Sequence, residues 1–288
     1  MEWILILMVA VVGAALLYHW SNGKKTYHIN EQASFHERIK NLQVESTSVD
    51  VEIVKADGDE WKVTLSGTVH ENDRKHFVLF HEQEAENLTV KVMEEKTKIG
   101  IQMRKDMKLL IEVPAETIRS IKVETSSADI DVDGLAANHS TFTASSGDVT
   151  VADVVQENLH IQTSSGDVLL KKVQSRNTDI HTSSGELFGE NFDYGTGMFG
   201  SSSGEIRVQA TKMHGDVKAA TSSGDIRFFY EEEPSSCTLI YHSNSGEAKI
   251  NWTGFHYDVK KENEVRGIKA EGEFHLTAET SSGDLRVG

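Results

Sequence analysis

Repeated hydroxyls beside a carboxylate are the residue types of nucleophilic and metal chemistry, and this chain carries them many times over. Ser, Thr and an acid recur in TASSGDVTV at 143–151, IQTSSGDVLL at 161–170, IHTSSGELF at 180–188 and AATSSGDIRF at 219–228. Variants stand at VETSSADIDV (123–132), GSSSGEIRV (200–208), YHSNSGEAKI (241–250) and AETSSGDLRV (278–287), with a degenerate early copy, VESTSVDVEI, at 44–53. A nucleophilic serine needs a base, but Ser-Ser-Gly-Asp lacks the second glycine of a nucleophile elbow and any histidine at fixed distance. One active site also needs one copy, not eight. No residue is therefore assigned a catalytic, cofactor-binding or metal-binding role. His70, His76 and His81 share no metal-ligand spacing and read as surface histidines.

The acid after the turn is Asp129, Asp148, Asp167, Glu186, Glu205, Asp225, Glu247 and Asp284. Stacked in register these would be like charges on neighbouring strands, which repel. Acceptance of backbone N–H groups, as in an Asx-type turn, is the simpler remedy. A Ca²⁺ ladder on oxygen ligands is the alternative, although the nine-residue calcium-roll repeat is not present. Arg207, Arg227, Lys249 and Arg286 follow the turn in the late copies and are placed to offset part of the charge.

The elements that must position these groups follow from the spacing. The turn position is Ala128, Gly147, Gly166, Gly185 and Gly204, nineteen residues apart each time, then Gly224, Gly246 and Gly283 at looser intervals. Apolar columns fall five residues before it (Val123, Phe142, Ile161, Ile180) and two and four after it (Val149 and Val151; Val168 and Leu170). A straight strand keeps one face at a period of two. Here the phase slips by one residue across Ser-Ser-Gly-Asp, so a corner sits there, with glycine supplying the permissive φ. Strand, corner and strand repeated every nineteen residues predict an all-β, single-stranded parallel β-helix or solenoid, whose rungs bury their apolar faces only by stacking. About nine rungs at ~4.8 Å give a rod of ~40 Å. An antiparallel sandwich of hairpins is the runner-up. The cluster Phe188, Phe192, Tyr194 and Phe199 is expected to fill a rung that Gly189 and Gly197 loosen, or else to touch a glycan or protein partner.

Before the repeats, VDVEIV at 49–54 and WKVTLSGTV at 61–69 alternate and read as a hairpin or two neighbouring strands. A short helix is expected within 71–87, and a turn with a solvated strand face over 96–105. The stretch 251–272 reads as an inserted hairpin or cap.

Residues 3–20, WILILMVAVVGAALLYHW, contain no charged side chain. That length spans a bilayer core, and Trp3, Tyr18 and Trp20 sit where interfacial aromatics belong. An uncleaved single transmembrane helix is expected, because no basic n-region and no small-residue cleavage site frame a signal peptide. Lys24 and Lys25 would hold the following domain in the cytoplasm by the positive-inside count. The expected organisation is an anchor and flank at 1–22, a polar tether at 23–41 with one helical turn near 35–39, and a solenoid domain at 42–288, most regular over 123–228. Acidic residues outnumber basic ones 45 to 29, giving a net charge of −16, which argues against nucleic acid. The single Cys237 excludes an intramolecular disulfide.

Repeated T-S-S-G-D-[VI], the segment LLIEVPAETIRSIKVETSS at 109–127 and the terminal TSSGDLRV resemble the bacterial putative-adhesin domain family of unknown function, and within it the LiaG-type membrane-anchored members of Gram-positive bacteria. The resemblance covers about 40–288. It implies a β-helical domain on the outer face of the cell membrane, against the Lys24 and Lys25 count, an association with the envelope stress response, and no defined catalytic residues. The chain is thus expected to be a membrane-anchored, non-enzymatic solenoid with an envelope protein or glycan partner and no cofactor. A carbohydrate-active β-helix enzyme and an adhesin or cation-binding module are the alternatives.

Overall fold

The computed structural model describes residues 26–36, 38–70, 77–94 and 105–288. The anchor at 3–20, Lys24, Lys25 and almost all of the 96–105 turn lie outside them. The described residues are all β, in one twelve-stranded and one thirteen-stranded sheet, with no α-helix among them. No helix of the described residues is long and apolar enough to cross a membrane.

Ten strands of each sheet run parallel, and their register is that of the repeat. Each regular rung has a long strand before the corner and a short one after it, as in Val155–Gln162 and Val168–Lys171. Long strands stack on long strands, pairing Phe142 with Ile161 and Ile161 with Ile180. Short strands stack likewise, pairing Val149 with Val168 and Val168 with Leu187. The stacked columns form one buried core between the two sheets. The parallel solenoid, not the sandwich, is the architecture.

The second corner of the rung carries no glycine in most copies. Gly134, Asp153, Lys172 and Asn191, again nineteen apart, all have left-handed φ of 50° to 73°. Each is followed by a buried apolar residue, Leu135, Val154, Val173 or Phe192, that re-enters the core.

Rungs do not stack in chain order at either end. The rung of Asn41–Ser46 and Asp50–Lys55 lies between that of Asn87–Glu94 and Lys105–Val113 and that of Ile118–Thr125 and Ile130–Asp133. At the other end, the last rung, Phe274–Glu279 and Leu285–Val287, slots between Val217–Ala220 with Ile226–Tyr230 and Cys237–His242 with Ala248–Ile250. The long interval from Gly246 to Gly283 is therefore an excursion. The chain runs to the end of the stack, forms the antiparallel hairpin His256–Lys260 and Glu264–Lys269 on the edge strand Cys237–His242, and returns one rung inward. The hairpin expected within 251–272 is present.

Three expectations are corrected. Within the expected tether, Thr26–Phe35 is a strand paired antiparallel with Trp61–His70. Only Ile29 in it is fully buried, so it shows no period-two apolar signal. Asp50–Lys55 and Trp61–His70 are not neighbours, because Lys105–Val113 lies between them. Within 71–87, Phe77–Glu84 is a strand paired with Asn87–Glu94, not a helix. Its side chains are mostly exposed at a sheet edge, and FVLFHEQE shows no period-two alternation.

Candidate functional site

The corner motif is consumed by the stack. Thr163 Oγ1 accepts the Gly166 N–H at 3.1 Å and donates to the Gly147 carbonyl of the rung before it at 3.4 Å. Thr182 repeats this with Gly185 and Gly166 at 3.0 and 3.2 Å. The next residues join rungs through backbone, as in Ser165 N–H to the Ser145 carbonyl at 3.0 Å. The glycine is required for a reason other than the expected φ. None of the glycines of the Ser-Ser-Gly corner is left-handed. A Cβ on Gly166 or Gly185 would instead lie 1.9 Å from the carbonyl oxygen of the glycine one rung earlier.

The acidic column has the simpler solution. One carboxylate oxygen of Asp129 accepts the N–H of Asp148 at 2.9 Å, Asp148 that of Asp167 at 2.8 Å, and Asp167 that of Glu186 at 2.8 Å. Asp50 extends the ladder at one end, and Asp225 and Asp284 carry it to Glu247 at the other. Each carboxylate so placed satisfies an N–H that the corner leaves without a ladder partner. Where the column carries Glu205 the carboxylate turns to arginine. It accepts from Arg207 Nε at 2.8 Å and from Arg227, which also donates to Asp225 at 2.7 Å. Of the four basic residues placed to offset the column, Arg207 and Arg227 do so through these contacts. Arg286 and Lys249 lie alongside, in register with Arg227.

The aromatic cluster is core. Phe192, Tyr194 and Phe199 are buried, and only Phe188 is partly exposed, with the Arg207 guanidinium 5.9 Å from its ring centre. Phe192 occupies the space that Gly189 vacates; a Cβ on Gly189 would meet the Phe192 ring at 3.0 Å. Tyr194 and Tyr230 share a buried hydrogen bond of 2.6 Å between their hydroxyls, and burial raises both phenols well above their usual range. One rung earlier, Leu170 and Val173 occupy the positions of Gly189 and Phe192. Phe192→Val alone should cost about 2 kcal/mol through the cavity left. Gly189→Val alone should cost a similar amount through overpacking. The double variant reproduces the pair Val151 and Val154 two rungs earlier, so urea unfolding should show it losing at least about 2 kcal/mol less than the sum of the singles.

The remaining reactive groups are quiet. Cys237 is buried, and burial pushes its thiol up to about 11. His81 packs edge-on against Phe35 at 5.4 Å, and His76 lies outside the described residues. Among the described residues no group of three or more His, Cys, Asp or Glu is gathered as a metal site.

Two outward faces carry polar features of their own. On the long-strand sheet, Asn158 bonds His139 at 3.0 Å, Asn177 donates to Asn158 at 2.9 Å and Thr196 to Asn177 at 2.9 Å. The signal was a polar column at the same nineteen-residue spacing. On the short-strand sheet, Arg207, Gln209, Arg227, Phe229 and Arg286 line an open groove of about 430 Å³.

No curated protein matches the chain. The crystal structure of a putative adhesin from Bacteroides fragilis matches with a TM-score of 0.58 at 14% identity, covering 90% of this chain and 97% of that one. A putative adhesin from Parabacteroides distasonis matches with a TM-score of 0.51 at 13% identity, covering 91% and 97%. At such identities the likeness is one of fold. The model of the Toastrack DUF4097 family matches residues 39–288, every parallel rung of the stack but not the edge strand Thr26–Phe35, and the chain belongs to that family.

Proposed function

We propose that the protein is a non-enzymatic interaction module, a β-solenoid at 42–288 held at the outer face of a bacterial cell membrane by an anchor at 1–22. The observation that carries the non-enzymatic part is the fate of the repeated motif. Its threonine hydroxyls, serine backbone groups and most of its carboxylates are engaged in joining one rung to the next. Groups so engaged hold architecture, and a stack of this kind offers long, even faces suited to binding extended partners. The uncharged run at 3–20 supports the anchor, and the resemblance to LiaG-type proteins supports the outer face and a link to envelope stress. The fold shared with proteins described as putative adhesins is in keeping with an interaction role at the surface.

Protease accessibility tests the location. Full-length chain bearing a C-terminal epitope is expressed in a Gram-positive host, and intact protoplasts are treated with protease beside a detergent-lysed control. External protease is expected to remove the epitope from intact protoplasts. Protection there, with digestion after lysis, would place the domain inside.

A further inference from the structure

We propose that the outer face of the short-strand sheet binds a linear phosphate polymer along a ladder of Arg207, Arg227, Arg286 and Lys249. This deepens the interaction-module reading and rests on it. The four residues are direct neighbours in register, Arg207 beside Arg227, Arg227 beside Arg286 and Arg286 beside Lys249. At ~4.8 Å per strand they set four cations over ~15 Å along the rod. The fold does not demand them, for in the regular rungs the same column carries Asp131, Thr150 and Leu169. Like charges directly opposite one another destabilise a sheet, and this chain is otherwise strongly acidic, at −16.

Internal carboxylates neutralise only half of the ladder. Arg207 and Arg227 share Glu205, and Arg227 also holds Asp225. Arg286 and Lys249 are exposed and have no ion-pair partner among the described residues. One oxygen of the neighbouring Asp284 accepts the Glu247 N–H at 2.9 Å. Phe229 walls one side of the groove, and Phe188 stands one rung before Arg207 in the same column. Guanidinium groups match phosphate oxygens two at a time, and Arg is the residue favoured for phosphate recognition. A single anion would satisfy one rung. Cations repeated once per rung along a straight line select a polymer.

The test is fluorescence anisotropy with labelled short-chain inorganic polyphosphate and the full chain in detergent micelles. Arg286→Gln with Lys249→Gln removes two cations that hold no internal ion pair. The double variant is expected to bind at least about 10-fold more weakly, with a salt slope smaller by about 1 for each cation removed. Its urea midpoint should be unchanged. Lys218→Gln, on the other sheet, should leave binding as it is. Absence of binding by the unaltered chain, or equal binding by the double variant, would overturn the proposal. So would tighter binding of poly-glutamate, a linear carboxylate polymer. None of these outcomes bears on the protoplast experiment, so the ligand and the location fail separately.

Discussion

Replacing Gly166 with alanine is expected to destabilise the protein by about 3 kcal/mol or more, at the upper end of overpacking costs. The added methyl would lie 1.9 Å from the Gly147 oxygen and 2.5 Å from its carbonyl carbon. No rotamer relieves a Cβ contact, and the carbonyl it meets belongs to a backbone tied into the rungs on either side. The two rungs must separate locally, which strains the Thr163 hydrogen bonds and the Asp148 to Asp167 contact together. Urea unfolding followed by circular dichroism measures the loss. Gly58 is the control, because a Cβ there has nothing within 4 Å, and Gly58→Ala should stay within about 0.5 kcal/mol of the parent. A Gly166→Ala midpoint as close to the parent as that of Gly58→Ala would mean that the corners do not stack as tightly as described. The column also explains its own exception. Ala128 is the first turn residue of the regular run and stacks beyond Gly147 on the side of the Val49 corner, where residues with a Cβ are accommodated.

Much of the rung was legible because its signals are local and repeated. The columns through Ile161, Val168 and Leu170 named the buried face, and the phase slip across Ser-Ser-Gly-Asp located the corner. The cause assigned to the glycine was wrong, since these glycines are not left-handed and a requirement set by a carbonyl one rung away leaves no trace in the residue's own neighbourhood. The second corner was missed for the opposite reason. Gly134, Asp153, Lys172 and Asn191 share a backbone conformation but no residue type, and only their spacing betrays them. The order of the end rungs was illegible, because the columns of the last rung fit between any two neighbours of the same pattern. What sends that rung back inside is the hairpin His256–Lys260 and Glu264–Lys269, which occupies the outer edge of Cys237–His242. The basic ladder was visible as four residues at one motif position. Its meaning depends on register and on which carboxylates are already engaged, and neither is written in the motif.

If the repeat is architecture and binding resides where the chain departs from it, one regular rung is dispensable. Deleting residues 148–166 joins Gly147 to Asp167 and removes nineteen residues. The strands Ile130–Asp133 and Val168–Lys171 become neighbours, as do Ala136–Thr143 and Gln174–His181, and every column stays in phase. In a stack whose rungs contact only their neighbours, such a loss removes one rung and one interface and leaves the remainder intact. Deleting ten residues, 148–157, instead sets corners against strands and apolar positions against solvent, and that variant should not fold. The decisive measurement is urea unfolding of the nineteen-residue deletion, with polyphosphate binding measured on the same preparation. A folded protein with a single cooperative transition and undiminished binding is the predicted result. An unfolded chain, or binding that falls although the basic ladder is untouched, would contradict it.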